Sequence, residues 1–334
     1  MTLHSFTRAS NWEKIADKAL KGEKLSMEEG LSVLNAPDDE LLPLLQASFR
    51  VRYHYFGKKV KLNMIINAKS GLCPEDCGYC SQSVASKAPI DRYSFLKKDA
   101  LIEGAKEAKA RKAGTYCIVA SGRGPSKYEL DEVVKAVKEI KEKYPIKICA
   151  CLGILTDDQV KRLKEAGVDR YNHNLNTSEK HYEKITTTHT YQDRVETVQA
   201  VKKGGISPCS GCIVGMGETR EQVVEMAYSL RELDVDSIPV NFLNAIAGTR
   251  MEGMNELNPR YCLKVLALFR FVCPQKEIRV SGGREENLRQ LQALSLYPAN
   301  SIFVGDYLTT EGQTANLDHQ MIRDLGFEVE EIAE

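Results

Sequence analysis

Long apolar runs are missing from this sequence of 334 residues. A membrane-spanning helix needs about 20 consecutive apolar residues, and the longest runs here fall far short of that length. The first ten residues also contain no apolar stretch, so the sequence predicts no signal peptide. From these two absences we expect a soluble, cytoplasmic protein.

Net charge is missing as well. Lys and Arg together number 46, and Asp and Glu together also number 46, so the formal charge is zero. A neutral chain creates no long-range field that would favour nucleic acid or an anionic membrane. We therefore expect a small or neutral ligand, and neither a nucleic-acid nor a membrane partner.

Cysteine, by contrast, is abundant, with ten residues in the chain. In an exported protein this number would indicate disulfides, but a protein without an export signal more often uses cysteine for metal binding or catalysis. Cys262 and Cys273 flank the apolar segment 263–271, and we interpret both as small buried hydrophobic residues. The other cysteines require a separate explanation.

From about residue 60 onward, short β-rich segments alternate with amphipathic helical patterns. The predicted strands are residues 60–67, 115–121, 147–153, 170–176, 206–215, 236–243, 277–283 and 301–307. The predicted helices include residues 128–143, 157–166, 219–233 and 259–271. Gly114, Gly167 and Gly204 are expected to end helices. This alternation predicts a TIM-type (β/α)8 barrel, with a doubly wound open sheet as the alternative.

The barrel is expected to occupy residues 53–325, between a helical N-terminal extension (1–52) and a C-terminal tail (326–334). Within the extension, residues 11–50 have the pattern of two or three short helices, punctuated by Pro37 and Pro43. No chemistry-bearing motif occurs there. Such helices would suit a cap on one barrel end or a dimer contact.

The predicted strands contain residues that are unusual for a barrel interior. Val, Ile and Leu normally fill that space. Here the strands carry polar or sulfur-containing residues at seven positions, namely Cys117, Cys149, Asn172, Asn174, Cys209, Asn241 and Arg279. So many on different strands indicate a polar cavity built for a reactive group.

Three cysteines form a C-x3-C-x2-C loop directly after the first predicted strand. Cys73, Cys77 and Cys80 can each bind one iron of a cubane [4Fe–4S] cluster, which leaves the fourth iron open. Zinc is the alternative, but it favours four ligands, none is left within the loop, and His54 upstream is a poor fourth ligand. With Tyr79 directly before the last cysteine, the loop resembles that of radical S-adenosylmethionine (SAM) enzymes.

A second motif lies downstream on the predicted fifth strand. Residues 211–218 match the pattern G-x-I-x-G-x-x-E, which radical SAM enzymes carry near the adenine of the cofactor. Glycine-rich strand ends are common, so this motif alone would be weak evidence for a nucleotide site. Its position downstream of the cysteine loop strengthens this motif as evidence for a SAM site. The resemblance implies that Tyr79 and Ile213 contact the cofactor.

From about residue 53 to residue 325, the chain resembles the biotin synthase family. The resemblance is carried by four long segments, namely residues 68–83 around the cysteine loop, 171–177 (YNHNLNT), 208–211 (PCSG) and 278–284 (IRVSGGR). It implies a second cluster, [2Fe–2S], deep in the barrel. By motif position, the ligands of that cluster would be Cys117, Cys149, Cys209 and Arg279.

The residues themselves are consistent with this second site but leave alternatives open. The four ligands fall on different strands and can converge only inside a closed barrel. Arg279 could instead pair with a buried carboxylate. Arg284 competes with it, but we expect Arg284 at the strand's end to reach solvent. Cys151 and Cys212 compete with Cys149 and Cys209, and spacing alone does not exclude Cys151.

The resemblance also implies contacts to the small molecules. Asn172, Asn176 and Arg194 match positions near SAM, and Arg194 suits a bidentate carboxylate contact. Asn174 and Asn241 match positions near dethiobiotin. Residues 172, 174 and 176 alternate and are expected to share one strand face. Some family members carry Asp in place of Asn176, so a charged contact to the ribose becomes neutral here.

The activity implied by the resemblance is sulfur insertion into dethiobiotin to form biotin. SAM and the [4Fe–4S] cluster would supply a 5′-deoxyadenosyl radical, and the [2Fe–2S] cluster would donate the sulfur. We see no general acid–base pair, so no side chain is predicted to be catalytic itself. The implied partners are an electron donor such as flavodoxin, iron–sulfur assembly proteins and a second copy of the chain. The alternatives are another radical SAM enzyme, such as a maturase or mutase, and a non-catalytic metal-binding protein.

Overall fold

The computed structural model describes residues 9–331. In this part of the chain, parallel strands form one sheet that closes into a barrel because its first and ninth strands pair. The strands are β1 (Lys59–Lys69), β2 (Thr115–Ala120), β3 (Lys147–Cys151), β4 (Arg170–Asn172), β5 (Ser207–Cys209), β6 (Cys212–Val214), β7 (Ser237–Phe242), β8 (Glu277–Val280), β9 (Ser301–Phe303) and β10 (Glu328–Val329). Closure confirms the TIM-type barrel and excludes the open doubly wound sheet.

The fifth position of the barrel is filled by two short strands, where the sequence predicted one. β5 pairs with β4 and β7, whereas β6 pairs with β7 and is bridged to Asn176 after β4. Gly211 lies in the break between them, and a Cβ added there would come within 1.9 Å of the Pro239 carbonyl oxygen. Only glycine permits this approach of two backbones. The first glycine of the G-x-I-x-G-x-x-E motif therefore has a packing role.

The helices surround the barrel, and within residues 9–331 six of the twelve α-helices begin at a side-chain cap. They are α1 (Ala9–Leu20), α2 (Met27–Leu34), α3 (Leu41–Phe56), α4 (Lys98–Ala110), α5 (Lys127–Lys143), α6 (Asp157–Ala166), α7 (Tyr182–Ile185), α8 (Tyr191–Lys203), α9 (Arg220–Glu232), α10 (Pro259–Val272), α11 (Arg284–Leu288) and α12 (Ala315–Asp324). Capping boxes start α5, α6 and α9, where Ser126, Thr156 and Thr219 each accept a bond from the third residue of the helix.

The N-terminal extension forms three helices, where its pattern predicted two or three short ones, and these pack along α9 and α10. Gly30 of α2 allows a close approach, since a Cβ there would lie 2.8 Å from Val224 Cγ1. The extension is tied to the barrel by the buried Arg52, whose Nη2 donates to the Lys59 carbonyl at 2.9 Å. Its contacts are thus with two outer helices and with the amino-terminal end of β1.

Several predicted boundaries shift in the structure. The predicted strands 170–176, 277–283 and 301–307 end early, at Asn172, Val280 and Phe303. Helix α4 ends at Ala110, four residues before the predicted stop at Gly114, and Lys112 follows it with a positive φ of 60°. Residues 328–329, which we predicted to be part of a tail, pair with the start of β1.

No helix within residues 9–331 combines the length and the apolar character that crossing a membrane requires.

Candidate functional site

A cavity of about 300 Å³ lies at the carboxyl ends of the strands, where active sites of TIM barrels are found. Its wall is formed by the ends of β2, β3 and β7, by the segment after β4, and by the cysteine loop. A second cavity of about 230 Å³ adjoins it and shares the side chains of Tyr79, Ile213 and Asn241. The loop and three of the seven predicted polar strand residues, Asn172, Asn174 and Asn241, therefore meet at one end of the barrel.

The cysteine loop follows β1 and lines the first cavity with all three thiol-bearing residues. Cys77 is buried, while Cys73 and Cys80 are half-buried. Desolvation raises the pKa of the Cys80 thiol to about 12. Iron binds the thiolate form of cysteine. Cys80 would therefore have to be deprotonated on binding, and the positive charge of the iron would favour that deprotonation.

The loop is held in place by the segment that follows α7. Gly78 N–H donates to the Ile185 carbonyl at 2.7 Å. The Asp76 carboxylate accepts hydrogen bonds from the hydroxyls of Thr186 and Thr187, each at 2.7 Å, and from that of Thr188 at 3.1 Å. These contacts fix the loop from a part of the chain more than a hundred residues away.

Replacing Asp76 by Asn is expected to loosen this attachment and to lower the free energy of unfolding by about 1–3 kcal/mol, since bonds to a charged acceptor are lost. Urea unfolding under anaerobic conditions measures the change. Asp91→Asn is the matched control because Asp91 is an exposed acid of the same loop, and its effect should stay within about 0.5 kcal/mol. Equal effects of the two variants would contradict the anchoring role.

A single metal ion does not fit the loop. Among residues 9–331, no three Cys, His, Asp or Glu side chains lie close enough together to hold one ion. Zinc would need such convergence, whereas a cubane binds each cysteine at a different iron. The three separated thiols therefore fit a cluster better than zinc.

A chain of polar contacts runs from the loop into the cavity. His189 Nδ1 lies 2.6 Å from Glu75 Oε2, and His189 Nε2 lies 2.7 Å from Arg194 Nη2. Since a guanidinium only donates, Nε2 must accept, and Nδ1 therefore donates its proton to Glu75. Burial and the nearby Arg194 charge lower the pKa of His189, consistent with this neutral tautomer.

Arg194 is fixed at the cavity wall by three protein contacts. Its Nε donates to Tyr182 Oη at 2.5 Å, its Nη1 to the Asn174 carbonyl at 3.1 Å, and its Nη2 to His189. Each terminal nitrogen retains a second N–H. The side chain can therefore still donate to a carboxylate in the cavity, and its geometry is set before any ligand arrives.

The predicted asparagines line the first cavity, although they do not continue one strand. β4 ends at Asn172, and Asn176 has φ of 70°, so the expected alternation over three positions is wrong. Asn172 Nδ2 contacts Asn174 Oδ1 at 2.9 Å and Cys209 Sγ at 3.3 Å. Asn176 Nδ2 donates to Tyr79 Oη at 2.7 Å. Irregular backbone after β4, with a β-bridge from Asn176 to Cys212, thus brings the three together.

The glycine-rich motif positions Ile213 and Asn241 beside both cavities. Asn241 Nδ2 donates to the Cys212 carbonyl at 2.9 Å, and its Oδ1 accepts from Gly282 N–H at 3.0 Å. Glu218 at the motif's end accepts from the backbone N–H groups of Gly215 and Met216, at 2.7 and 2.8 Å. Glu218 therefore stabilises the turn itself.

A second group of thiols lies deeper in the barrel. Cys117 and Cys149 are cross-strand partners on β2 and β3, and the Cys149 thiol contacts those of both Cys117 and Cys209. All three are buried, and Cys117 and Cys149 pack against Phe303, which also lines the second cavity. The hydrogen bond with Cys117, together with burial, raises the pKa of Cys149.

Arg279 shares this interior and is only 1% exposed. Its guanidinium carbon lies 5.0 Å from the centre of the Phe303 ring, and its charge interacts with Cys117 and Cys209. Arg279 Nη2 also donates to Glu277 Oε1 at 2.5 Å. The buried salt bridge that was the alternative interpretation of Arg279 is therefore present, at the same place as the thiols.

The competing residues lie elsewhere. Cys151 borders the first cavity, and Cys212 is buried in the hydrophobic core. Arg284 was expected to reach solvent, which is wrong, because it is 1% exposed and pairs with Asp318 at 2.9 Å. Cys262 and Cys273 belong to the hydrophobic core, as predicted.

Sequence reasoning missed several side chains at the site. Glu75 stands inside the cysteine loop, but His189 and Tyr182 belong to a segment without a recognised motif. Arg170 and Glu277, which lie beside Arg279, are ordinary charged residues at strand starts in the sequence. An inward-facing charge on a barrel strand was the only available signal for the last two.

Comparison with known proteins identifies two family models on this chain. Residues 69–229 match the Radical SAM superfamily, and residues 239–328 match the Biotin and Thiamin Synthesis associated domain. The chain is 64% identical over 324 residues to the biotin synthase of Halalkalibacterium halodurans, covering 97% of both chains. It is also 64% identical over 325 residues to the biotin synthase of Bacillus subtilis, again covering 97% of both.

Solved structures of lower identity share the fold. A methylornithine synthase (PylB) superimposes with a TM-score of 0.83 at 21% identity, covering 95% of this chain and 97% of its own. The FeFe-hydrogenase maturase HydG from Carboxydothermus hydrogenoformans gives 0.80 at 18% identity, covering 97% and 80%. These two support the barrel alone, whereas identity over nearly the whole chain supports the family: this chain belongs to the biotin synthase family of the radical SAM superfamily.

Proposed function

We propose that this chain inserts sulfur into dethiobiotin to form biotin. The observation that carries the proposal is the second group of buried thiols, with Arg279 among them, beneath the cavities that the cysteine loop borders. A radical SAM enzyme that only generates a radical has no need of this second group. A sulfur donor inside the barrel does need such ligands.

In this proposal Cys73, Cys77 and Cys80 hold a [4Fe–4S] cluster, and SAM binds in the first cavity. The clusters and SAM supply radical generation and the sulfur atom, and the protein supplies binding and orientation. Arg194 donates to the carboxylate of SAM through the N–H groups that its protein contacts leave free. Tyr79, Asn172, Asn176 and Ile213 border the remainder of the molecule.

Dethiobiotin is proposed to occupy the second cavity. The lining combines apolar side chains such as Phe242, Leu243 and Ile246 with the polar Asn241, which suits an alkyl chain joined to a polar ring. Asn174 borders only the first of the two cavities. We therefore propose Asn241 as the main polar contact to dethiobiotin, and Asn174 as a contact at the boundary toward SAM.

The second site fits a [2Fe–2S] cluster in donor chemistry and in charge. Cys117, Cys149 and Cys209 offer three thiolates, and Arg279 offers a nitrogen. The half-buried Arg170 and the buried Arg279 face one buried carboxylate, Glu277, which leaves positive charge beside the thiols. An anionic cluster with thiolate ligands offsets that charge.

The cellular setting is part of the proposal. All ten cysteines are free in the structure, which suits the reducing cytoplasm, where disulfides are rare. SAM cleavage consumes an electron, so we propose a small electron-transfer protein such as flavodoxin as the donor. Iron–sulfur assembly proteins would load the clusters, and we propose that the chain forms a homodimer.

The test is an anaerobic assay of protein whose clusters have been reconstituted with ³⁴S-sulfide. With SAM, a reductant and dethiobiotin, we expect 5′-deoxyadenosine, methionine and biotin that carries the label. Biotin without label would contradict the cluster as sulfur donor. Formation of 5′-deoxyadenosine without biotin would favour a radical enzyme with another substrate, and a colourless protein that binds only zinc would favour a metal-binding protein.

A further inference from the structure

Glu277 is a buried side chain of the barrel interior that accepts four hydrogen bonds and has no role in the proposed chemistry. It lies at the start of β8 and is 4% exposed. Its Oε1 accepts from Arg279 Nη2 at 2.5 Å and from the hydroxyls of Ser237 and Ser301, at 3.1 and 3.0 Å. Its Oε2 accepts from Arg170 Nη1 at 2.9 Å. One carboxylate therefore joins strands β4, β7, β8 and β9.

These contacts restrict how Arg279 can present its guanidinium. Nη2 is held by Glu277 and by Ser237 at 3.1 Å, and Nε is held by Ser301 at 3.2 Å. Within residues 9–331, the third nitrogen, Nη1, has no hydrogen-bond partner of its own. The Nε and Nη2 edge of the guanidinium therefore faces Glu277 and the two serines, and Nη1 remains available to bind a ligand.

A second arginine, Arg170, binds the other carboxylate oxygen of Glu277. It is two residues from Asn172, which contacts the Cys209 thiol, and it pairs across the sheet with Cys149. Both arginines depend on Glu277, and Lys61 adds a third cation 3.6 Å from it. Removing the carboxylate would leave the buried Arg279 close to two half-buried cations, Arg170 and Lys61, and partial burial strengthens the repulsion between like charges.

We propose that Glu277 is a positioning residue for the second cluster: it orients Arg279 so that Nη1 is available to the cluster, and with Arg170 it sets the charge around the thiols. The inference rests on the proposed function, since it assumes that Cys117, Cys149 and Cys209 hold a cluster. It assigns Glu277 no contact with substrate. Its role acts through Arg279.

Glu277→Gln tests the proposal because it keeps the size and an acceptor oxygen but removes the negative charge. Mössbauer spectroscopy separates the two clusters, and a redox titration followed by visible absorption gives the midpoint potential of the second. We expect an unchanged [4Fe–4S] cluster, a second cluster with a raised midpoint potential, and biotin formation lowered about 10- to 100-fold, as for other residues that orient a metal ligand. A second cluster with wild-type absorption and potential would overturn the proposal.

A double variant separates positioning from simple neutralisation of Arg170. Glu277→Gln combined with Arg170→Gln removes one charge of each sign, so the net charge of the interior is kept. If Glu277 positions Arg279, the second cluster stays altered, whereas return of the wild-type absorption and potential would overturn that role. Should the single variant fail to fold, the charge-balanced double variant carries the test.

Asp318→Asn is the matched control because Asp318 is another buried acid paired with a buried arginine, Arg284, away from the thiols. It should leave the absorption and potential of the second cluster unchanged, and an equal shift would overturn the specific role of Glu277. The unsubstituted protein distinguishes a failure of the proposed function from a failure of the role proposed for Glu277. A parent that holds the second cluster but makes no biotin contradicts the proposed function alone, while the spectra still decide the role of Glu277.

Discussion

Replacing Cys73, Cys77 or Cys80 by Ala is expected to abolish the formation of 5′-deoxyadenosine. Each thiol borders the first cavity, and no further thiol of the loop can take its place. A cubane with a missing ligand loses the iron arrangement that leaves one position open for SAM. The product is measured by chromatography after anaerobic incubation with SAM and a reductant.

The control for this experiment is Cys262→Ala, which removes a thiol that is buried in the hydrophobic core far along the chain. It should keep its clusters and its SAM cleavage, at some cost in stability from the smaller side chain. Full activity of any of the three loop variants would mean that the loop does not hold the SAM cluster. Iron content should also fall in the loop variants while the absorption of the second cluster persists.

Ala variants of Cys117, Cys149 and Cys209 are expected to lose the second cluster and all biotin formation, while SAM cleavage continues. The structure brings these three thiols together and separates them from the loop. Because sulfur would come from the second cluster, radical generation alone cannot complete the product. Iron and sulfide content, visible absorption and both product assays are measured on the same samples.

Cys151→Ala and Cys212→Ala are the matched controls, because each lies within three residues of a proposed ligand but outside the thiol group. Both should retain the second cluster. If Cys151→Ala loses it while Cys149→Ala keeps it, the ligand assignment is wrong. The cysteine loop would be untouched by that result.

The barrel itself could be predicted because strand and helix patterns alternate along the chain, and each pattern depends on local burial. The ends of the strands could not be predicted, because the alternating pattern of residues continues past each strand into the loop that follows. Residues 170–176 show this, since Asn176 takes a left-handed conformation that tertiary contacts impose and that the spacing of the asparagines conceals. The fifth strand was similarly divided by a backbone contact between Gly211 and Pro239.

The site was predicted where a motif names its chemistry and missed where contacts alone create it. The cysteine loop is contiguous, so its spacing is visible in the sequence. The choice of Cys149 over Cys151 depends on which of two inward-facing thiols reaches β5, and only the closed barrel decides that. Arg284 was misjudged because its partner, Asp318, comes from a helix 34 residues later.

The wall that the two cavities share has a thermodynamic consequence. Tyr79, Ile213 and Asn241 border both spaces, so a ligand in either one fixes side chains that the other also contacts. If the first ligand orders that wall, the second binds without that entropic cost, and its affinity rises. Linkage requires the reverse effect to be equally large. The two small molecules would then favour each other's presence, and an enzyme holding only one of them would be the less populated state.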